Sequence, residues 1–428
     1  MKSLTLKPTG LSGRIQIPPS KSMAHRAIIC AFLSEGESRI GNVELSNDII
    51  ATCRAAEALG ADIDILEGGI PGRKTLVIRG RGKVAVINNR IHCGESGTTA
   101  RFIIPVTRLT HDEVTITGEG KLVDRPFGVF YEIFQAQEVQ YETQDGKLPL
   151  KLSGRLKPGS FRVRGDISSQ FISGLLLALP LLDGDSIIEV TTPLESAGYI
   201  DMTLQVQKKF GIRIDYNRAE NRFFIPGWQK YIPQQYQVEG DWSQAAFWLA
   251  AGVLSGKIEV EGLNPNSLQG DKIIEAVLQK MGAKLFWKDE VITAVKSELR
   301  DISIDVSQCP DLVPILAVLG SMCSGRTEIL NAARLRLKEC DRLNAISTEL
   351  RALGAQITQR QDALFIKGKN KLSGGRVYGW NDHRIVMAAA IAAVVCEKNV
   401  IIEGCEAVNK SYPSFWDHYV ALGGKACE

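Results

Sequence analysis

No apolar run in this chain is long enough to cross a bilayer. The longest, Phe171 to Leu182 and Met387 to Cys396, fall well short of the roughly 20 residues a spanning helix needs and read as buried helices instead. The N-terminus opens on the alternating Leu4 and Leu6 and has neither a basic-then-apolar signal region nor an Arg/Ser-rich transit segment. The expected location is therefore the cytoplasm. Cysteine pairs at ligand spacing are also missing. The nine cysteines, at 30, 53, 93, 309, 323, 340, 396, 405 and 427, are odd in number and form no CxxC or CxxxC pair, which argues against a disulfide framework or a structural zinc site. Histidine is scarce, and neither His25 nor His383 has a second histidine at metal spacing, so each reads as a hydrogen-bonded structural residue. A formal charge of +3 is too small for a phosphate-backbone surface, and no aromatic-interleaved basic stripe points to nucleic acid. Any anion must be caught locally. What the chain does have is length: 428 residues, 44% of them apolar, suffice for two or three domains with ample core.

Six segments share one scheme, an apolar helix end, a small residue, then a strand. They are AAEALGADIDI (55–65), EIFQAQEVQYE (132–142), VQKKFGIRIDY (206–216), VLQKMGAKLFW (277–287), ELRALGAQITQ (349–359) and HYVALGGKACE (418–428). Five keep a glycine, at 60, 211, 282, 354 and 423, where a helix cap must turn left-handed; the second copy, with Ala136 and Gln137, is degenerate. A second series of polar clusters opens apolar helices at Ser20, Gly94, Ser168, Asp241, Asp311 and Asp382, spaced 74, 74, 73, 70 and 71 residues apart. The chain is thus six copies of one unit with two helices and several strands each, large enough to form parts of compact domains. With three units per domain, the break falls between Gln237 and Asp241. Residues 1–20 precede the first cluster, so the first strand can belong with the C-terminal half.

A helix N-terminus offers free N–H groups and a positive dipole end, a ready site for phosphate and carboxylate. In PPSKSMAHRAII, Ser20 is a candidate N-cap, Lys21 and Ser22 fall in the first turn, and Arg26 lies four residues beyond Ser22 on the same face. In CGESGTTARFIIP, two glycines let backbone approach a ligand and Arg101 follows one turn after Gly97. GDISSQFISGLL offers Ser168, Ser169 and Gln170. The C-terminal half supplies Asp311, then Asp382, His383 and Arg384, at helix openings. LRLKECDRLNAI is read as a helix on which Lys338, Glu339 and Arg342 share a face. Taken singly, each cluster is most simply a cap or a solvated charged surface. Six coincident clusters at one place in the repeat are harder to dismiss, because parallel helices would gather them around bound anions.

These residues resemble the enolpyruvyl transferases, and within them the branch acting on shikimate 3-phosphate. The likeness runs the length of the chain through PPSKSMAHR (18–26), GESGTTAR (94–101), DRP (124–126), SSQ (168–170), SAGYID (196–201), EGDWSQAA (239–246), CPD (309–311), RLKECDR (336–342), NDHR (381–384) and NKSYP (409–413). The resemblance implies an α/β fold of two domains, each of three βαβαββ units in an inside-out α/β barrel. Domain bounds of 21–238, for the shikimate 3-phosphate side, and 1–20 plus 239–428, for the catalytic acids and phosphoenolpyruvate cations, are expected. By the same resemblance Lys21 touches both substrates. Ser22, Arg26, Ser168, Ser169, Ser196, Tyr199, Asp311 and Lys338 would hold shikimate 3-phosphate, and Gly97, Arg125, Gln170, Arg342, Arg384 and Lys410 would hold phosphoenolpyruvate. Asp311 would take the proton from the acceptor hydroxyl and Glu339 would handle the proton at the vinyl carbon, with Lys21 completing the catalytic set. No metal or organic cofactor and no nucleic-acid or membrane partner is implied, and a monomer is expected.

The chemistry suits these residue types. Phosphoenolpyruvate carries a carboxylate and a phosphate, which Arg forks and lysines match. Addition across its double bond needs a base for the alcohol and an acid for the methylene carbon, roles two carboxyls in different environments can divide. Three features depart from the family pattern: Glu95 is an extra carboxylate near Gly97, Arg334 stands where some members have Asn, and SAGY (196–199) replaces a Pro-containing version around Tyr199. The related enzymes that use UDP-N-acetylglucosamine begin with a Lys-Asn pair and commonly use a loop cysteine, whereas here Lys21 precedes Ser22 and no cysteine lies between Gly118 and Arg125. A non-catalytic anion-binding protein on the same fold is the other alternative, and retention of both acids and all the cations speaks against it.

Overall fold

A computed structural model describes residues 1–427 of the chain. Twelve α-helices are formed among them, two per repeat: α1 (Lys21–Leu33), α2 (Asn47–Ala58), α3 (Gly97–Thr107), α4 (Gly128–Gln137), α5 (Ser169–Ala178), α6 (Ala197–Lys209), α7 (Trp242–Ser255), α8 (Ile274–Lys280), α9 (Val313–Ser321), α10 (Arg342–Ala352), α11 (His383–Ala393) and α12 (Phe415–Ala421). None is long and apolar enough to cross a membrane.

Five of the six capping segments take the conformation their glycines allow. Gly60, Gly211, Gly282, Gly354 and Gly423 have φ of 106°, 85°, 90°, 94° and 93°, a region that favours glycine. In the degenerate second copy Glu138 ends α4 at φ 57° instead, so the left-handed turn survives without its glycine.

The helix openings divide into two kinds. Ser20, Ser168, Asp241 and Asp382 cap α1, α5, α7 and α11 through their side chains. The second opening is capped by Ser96, not Gly94, because Ser96 Oγ accepts from Thr99 N at 3.1 Å. Asp311 does not cap either. It lies in a 3₁₀ turn, Pro310–Leu312, ahead of α9, which leaves its carboxylate available to side chains. The expected helical face on Lys338, Glu339 and Arg342 is also corrected: α10 starts at Arg342, since Asp341 caps it by accepting from Asn344 N, and Lys338 is extended.

Each repeat contributes to a four-stranded mixed sheet. In the third, Ser160–Val163 runs parallel to Ser186–Val190, which is antiparallel to Arg222–Ile225, with Asp215–Asn217 at the far edge. Two strands are exchanged between repeats. Gly13–Gln16 pairs with Lys257–Glu261 of the fourth repeat, and Gln235–Gln237 pairs with Glu35–Val43 of the first. The N-terminal strand Ser3–Lys7 completes the last sheet, between Val400–Glu403 and Lys425–Cys427.

The chain accordingly divides into two compact units, Met1–Pro18 with Glu239–Glu428, and Pro19–Val238. Each has its own apolar core. In the first, every residue from Trp242 to Val253 of α7 is buried, and α7, α9 and α11 touch one another. The strands of both units alternate buried and exposed residues, as in Ser160–Val163. Helices fill the inside and half-exposed sheets cover them, the reverse of a barrel with a strand core.

Candidate active site

In the unit holding residues 239–428, the ends of α7, α9, α10 and α11 meet around one arginine. Arg342, 1% exposed, places Nη1 2.7 Å from Asp311 Oδ1, Nη2 2.6 Å from Glu339 Oε2 and Nε 2.7 Å from Asp382 Oδ2. Arg384 donates to the other oxygen of Asp311 at 3.1 Å and to Ser243 Oγ at 2.9 Å. Lys338 Nζ lies 3.3 Å from Asp311 Oδ1. Lys410 donates to Asn381 O at 2.7 Å, which the turn at Trp380 and Asn381, both with positive φ, presents. Asp311, Glu339, Lys338, Arg342 and Arg384 are thus brought together, and Lys410 joins them through the turn that precedes α11.

The charges within this group shift one another. Burial opposes ionisation of Asp311, yet Arg384, Lys338 and Arg342 outweigh it and hold the carboxyl well below the usual range, against the opposing charge of Glu339. Burial lowers the Lys338 ammonium, with Asp311 partly compensating. Burial likewise disfavours the charged Arg342, but Asp382, Glu339 and Asp311 reverse that and raise it. Cys340, in the same turn, is a buried thiol pushed up first by burial and then by Asp382. It is not a thiolate nucleophile.

The other unit gathers the N-terminal ends of α1, α2, α3, α5 and α6. Lys21 Nζ pairs with Asp48 Oδ2 at 2.7 Å. Arg26, 1% exposed, donates to Thr203 Oγ1 at 2.8 Å, Ser22 O at 2.7 Å and Tyr199 O at 2.8 Å, and so ties α1 to α6. Arg101 donates to Gln170 Oε1 at 2.8 Å, and Gln170 Nε2 donates to Thr98 Oγ1 at 2.8 Å, linking α3 to α5. The Arg125 guanidinium lies against Gly97, close enough that a Cβ on Gly97 would collide with it. Ser168 Oγ accepts from Gln170 N at 3.3 Å; Ser169 is buried in the next position. Ser196 starts α6 at φ 56° without a side-chain cap bond, an unusual conformation for a side-chain-bearing residue that marks a site under local constraint.

Sequence reasoning left Asp48, Thr98 and Ser243 out of the site set. Asp48 stands in the first turn of the second helix of its repeat, so an acid following a serine cap was the available signal. Glu95 turns its carboxylate towards Gly120, where a Cβ would meet it. His25 bonds to Thr52 Oγ1 at 2.6 Å in the core, the structural role its scarcity suggested. Among the described residues no group of three or more His, Cys, Asp or Glu is arranged to hold a metal ion.

The family model described as EPSP synthase (3-phosphoshikimate 1-carboxyvinyltransferase) matches residues 6–419. The 3-phosphoshikimate 1-carboxyvinyltransferase of Clostridium kluyveri is 49% identical over 428 residues, covering 100% of this chain and 99% of that protein. The enzyme of the same name from Clostridium acetobutylicum is 51% identical over 429 residues, with 100% and 99% coverage. Among solved structures, an EPSP synthase from Acinetobacter baumannii superimposes with a TM-score of 0.83 at 24% identity over the whole of both chains. The enolpyruvyl transferase NikO from Streptomyces tendae reaches 0.81 at 18% identity, covering 99% of this chain and 98% of its own. At these identities the two structures speak for the fold alone. The family model and the full-length relatives place the chain in the EPSP synthase family of 3-phosphoshikimate 1-carboxyvinyltransferases.

Proposed function

We infer that the chain transfers the enolpyruvyl group of phosphoenolpyruvate to the 5-hydroxyl of shikimate 3-phosphate, releasing phosphate, in the shikimate pathway of aromatic biosynthesis. Family membership over the full length supports the reaction. The single structural observation that carries it is Asp311, an acid held by Arg342, Arg384 and Lys338 beside a second acid, Glu339, on the same arginine.

The proposed roles combine that arrangement with what the family resemblance implies for the other residues. Arg342, Arg384 and Lys410 hold the carboxylate and phosphate of phosphoenolpyruvate, and the family resemblance assigns Arg125, Gln170 and the backbone at Gly97 to the same substrate. Lys21, Ser22, Arg26, Ser168, Ser169, Ser196 and Tyr199 serve shikimate 3-phosphate, together with Lys338. An incoming anion competes with Asp311 for Arg342 and Arg384. As those cations turn to the ligand, the force depressing the Asp311 carboxyl weakens and its basicity rises, so the base is armed as substrate binds. Asp311 then takes the hydroxyl proton while Glu339 delivers one to the methylene carbon, giving a tetrahedral adduct. Glu339 then takes a proton back from the new methyl group as phosphate departs with the proton held by Asp311, which restores the double bond and both acids.

Phosphate release in the presence of phosphoenolpyruvate tests this directly. It should require shikimate 3-phosphate and should not occur with UDP-N-acetylglucosamine as acceptor. Release with the sugar nucleotide, or with neither acceptor, would reject the assignment.

A further inference from the structure

The unit formed by residues 1–18 and 239–428 contains a cavity of about 660 Å³ away from the charged cluster, within the size range of small-molecule sites. It lies at the C-terminal ends of α7, α9 and α11, where Ser255, Met322 and Val394 all line it. The opposite ends of these helices carry Ser243, the Asp311 turn and Arg384. With helices of 9 to 14 residues, the two places are about 14–21 Å apart at ~1.5 Å per residue.

The walls are three chain segments that each follow an interior strand of a four-stranded sheet, around Thr9, Lys296 and Lys369. Two of these segments already bond helix-end carbonyls through their backbones: Ser297 N donates to Val253 O at 2.9 Å, Lys369 N to Ser321 O at 2.8 Å and Leu372 N to Val395 O at 3.2 Å. The lysine side chains are therefore not needed to cap these helices. Lys369 does reach Gly354 O at 2.9 Å, but the side chains of Lys296 and Lys371, both exposed, form no hydrogen bond or ion pair among the described residues. Three lysines, Lys296, Lys369 and Lys371, and one carboxylate, Glu298, line the cavity. Beneath them Leu299 and Cys323 are buried and Met322 is half-buried, an apolar and polarisable floor.

We propose that this cavity is a second ligand site, separate from the substrates, for a small anion with an apolar body such as an aromatic carboxylate or sulfonate. The apolar part lies on the floor and the anionic group meets Lys296 and Lys371. The probe is 8-anilinonaphthalene-1-sulfonate, titrated into the full chain and followed by its fluorescence. One saturable site per chain is expected, unchanged when phosphoenolpyruvate and shikimate 3-phosphate are both saturating. The double charge reversal Lys296→Glu with Lys371→Glu should weaken the dye by about tenfold or more. The control Lys288→Glu, an exposed lysine that does not line the cavity, should change it by less than about twofold. Displacement by the substrates, equal affinity in the double variant, or no saturable binding would each overturn the proposal. The dye measurement needs no turnover, so its outcome is independent of the reaction assigned above.

Discussion

Arg342 and Asp311 stand 31 residues apart in sequence and meet at 2.7 Å, while the same guanidinium also reaches Glu339 and Asp382. One buried cation therefore fixes three carboxylates supplied by three separate turns of chain. The planar fork of arginine makes this possible, since its donors leave in several fixed directions where a lysine would offer a single point of charge. The acids of the proposed chemistry are held in place by the residue proposed to bind the substrate.

Replacing that guanidinium should cost stability as well as activity. Arg342→Gln leaves Asp382, wholly buried, and Asp311 without their shared partner, and breaking a buried pair in this way costs about 3–5 kcal/mol. Urea denaturation monitored by circular dichroism should show the loss. A variant as stable as the wild type would mean that Lys338 and Arg384 suffice to hold the carboxylates.

Acid should unfold the same region. The folded Asp311 carboxyl is depressed, so the stability it confers is fully present above its unfolded pKa of about 3.9 and is lost as pH falls through the lower folded value. Below about pH 4 the wild type should take up a proton at this site on unfolding, and Asp311→Asn should not. Urea midpoints measured from pH 5 down to pH 2.5 should fall less steeply in the variant. Parallel slopes would place the acid sensitivity elsewhere.

Much of this architecture was legible because the repeat carries its own punctuation. A glycine at 60, 211, 282, 354 or 423 has a backbone conformation few other residues accept, so its position marks a helix end. Glu138 shows the limit of that signal, since it makes the same left-handed turn without a glycine and the second repeat reads as degenerate. Helical spacing misled at Lys338 and Glu339. They fit i, i+4 and i, i+3 patterns with Arg342, but Asp341 captures the backbone and starts the helix after them. Asp48 escaped notice because it lies on the second helix of its repeat, and only packing of α2 against α1 brings it to Lys21. The strand exchange between Gly13–Gln16 and Gln235–Gln237 is a matter of pairing partners, which strand-forming patterns do not encode.

The two acids should separate from the binding residues in kinetics. Asp311→Asn and Glu339→Gln are each expected to lower turnover by a factor on the order of 10² or more, with substrate affinities held within about tenfold. Titration calorimetry beside steady-state rates distinguishes the cases. Affinities that fall in step with turnover would make both residues binding groups.

Gly97 offers the sharpest test of the phosphoenolpyruvate contacts. It is the first residue of α3 after the Ser96 cap, and its φ lies outside the left-handed region, so alanine is acceptable to the backbone. The obstacle is a neighbour. A Cβ would collide with Arg125 Nη1, with Arg125 Cζ at 3.5 Å and Arg101 Nη1 at 3.6 Å next in line. Because the colliding atom is the end of a flexible side chain, the guanidinium moves and the fold stays. Gly97→Ala should therefore keep its thermal midpoint within a few degrees yet raise the Michaelis constant for phosphoenolpyruvate. Strain of about 1–3 kcal/mol corresponds to roughly fivefold to over a hundredfold. The constant for shikimate 3-phosphate should move by less than about twofold, an effect within the scatter of distant, uncoupled sites. A double-mutant cycle assigns the cause. If the methyl acts by displacing Arg125, then Gly97→Ala should add little once Arg125→Ala is already present. An undiminished effect in that background would mean that the methyl meets the substrate itself, and an unchanged constant in the single variant would remove Arg125 from the phosphoenolpyruvate site.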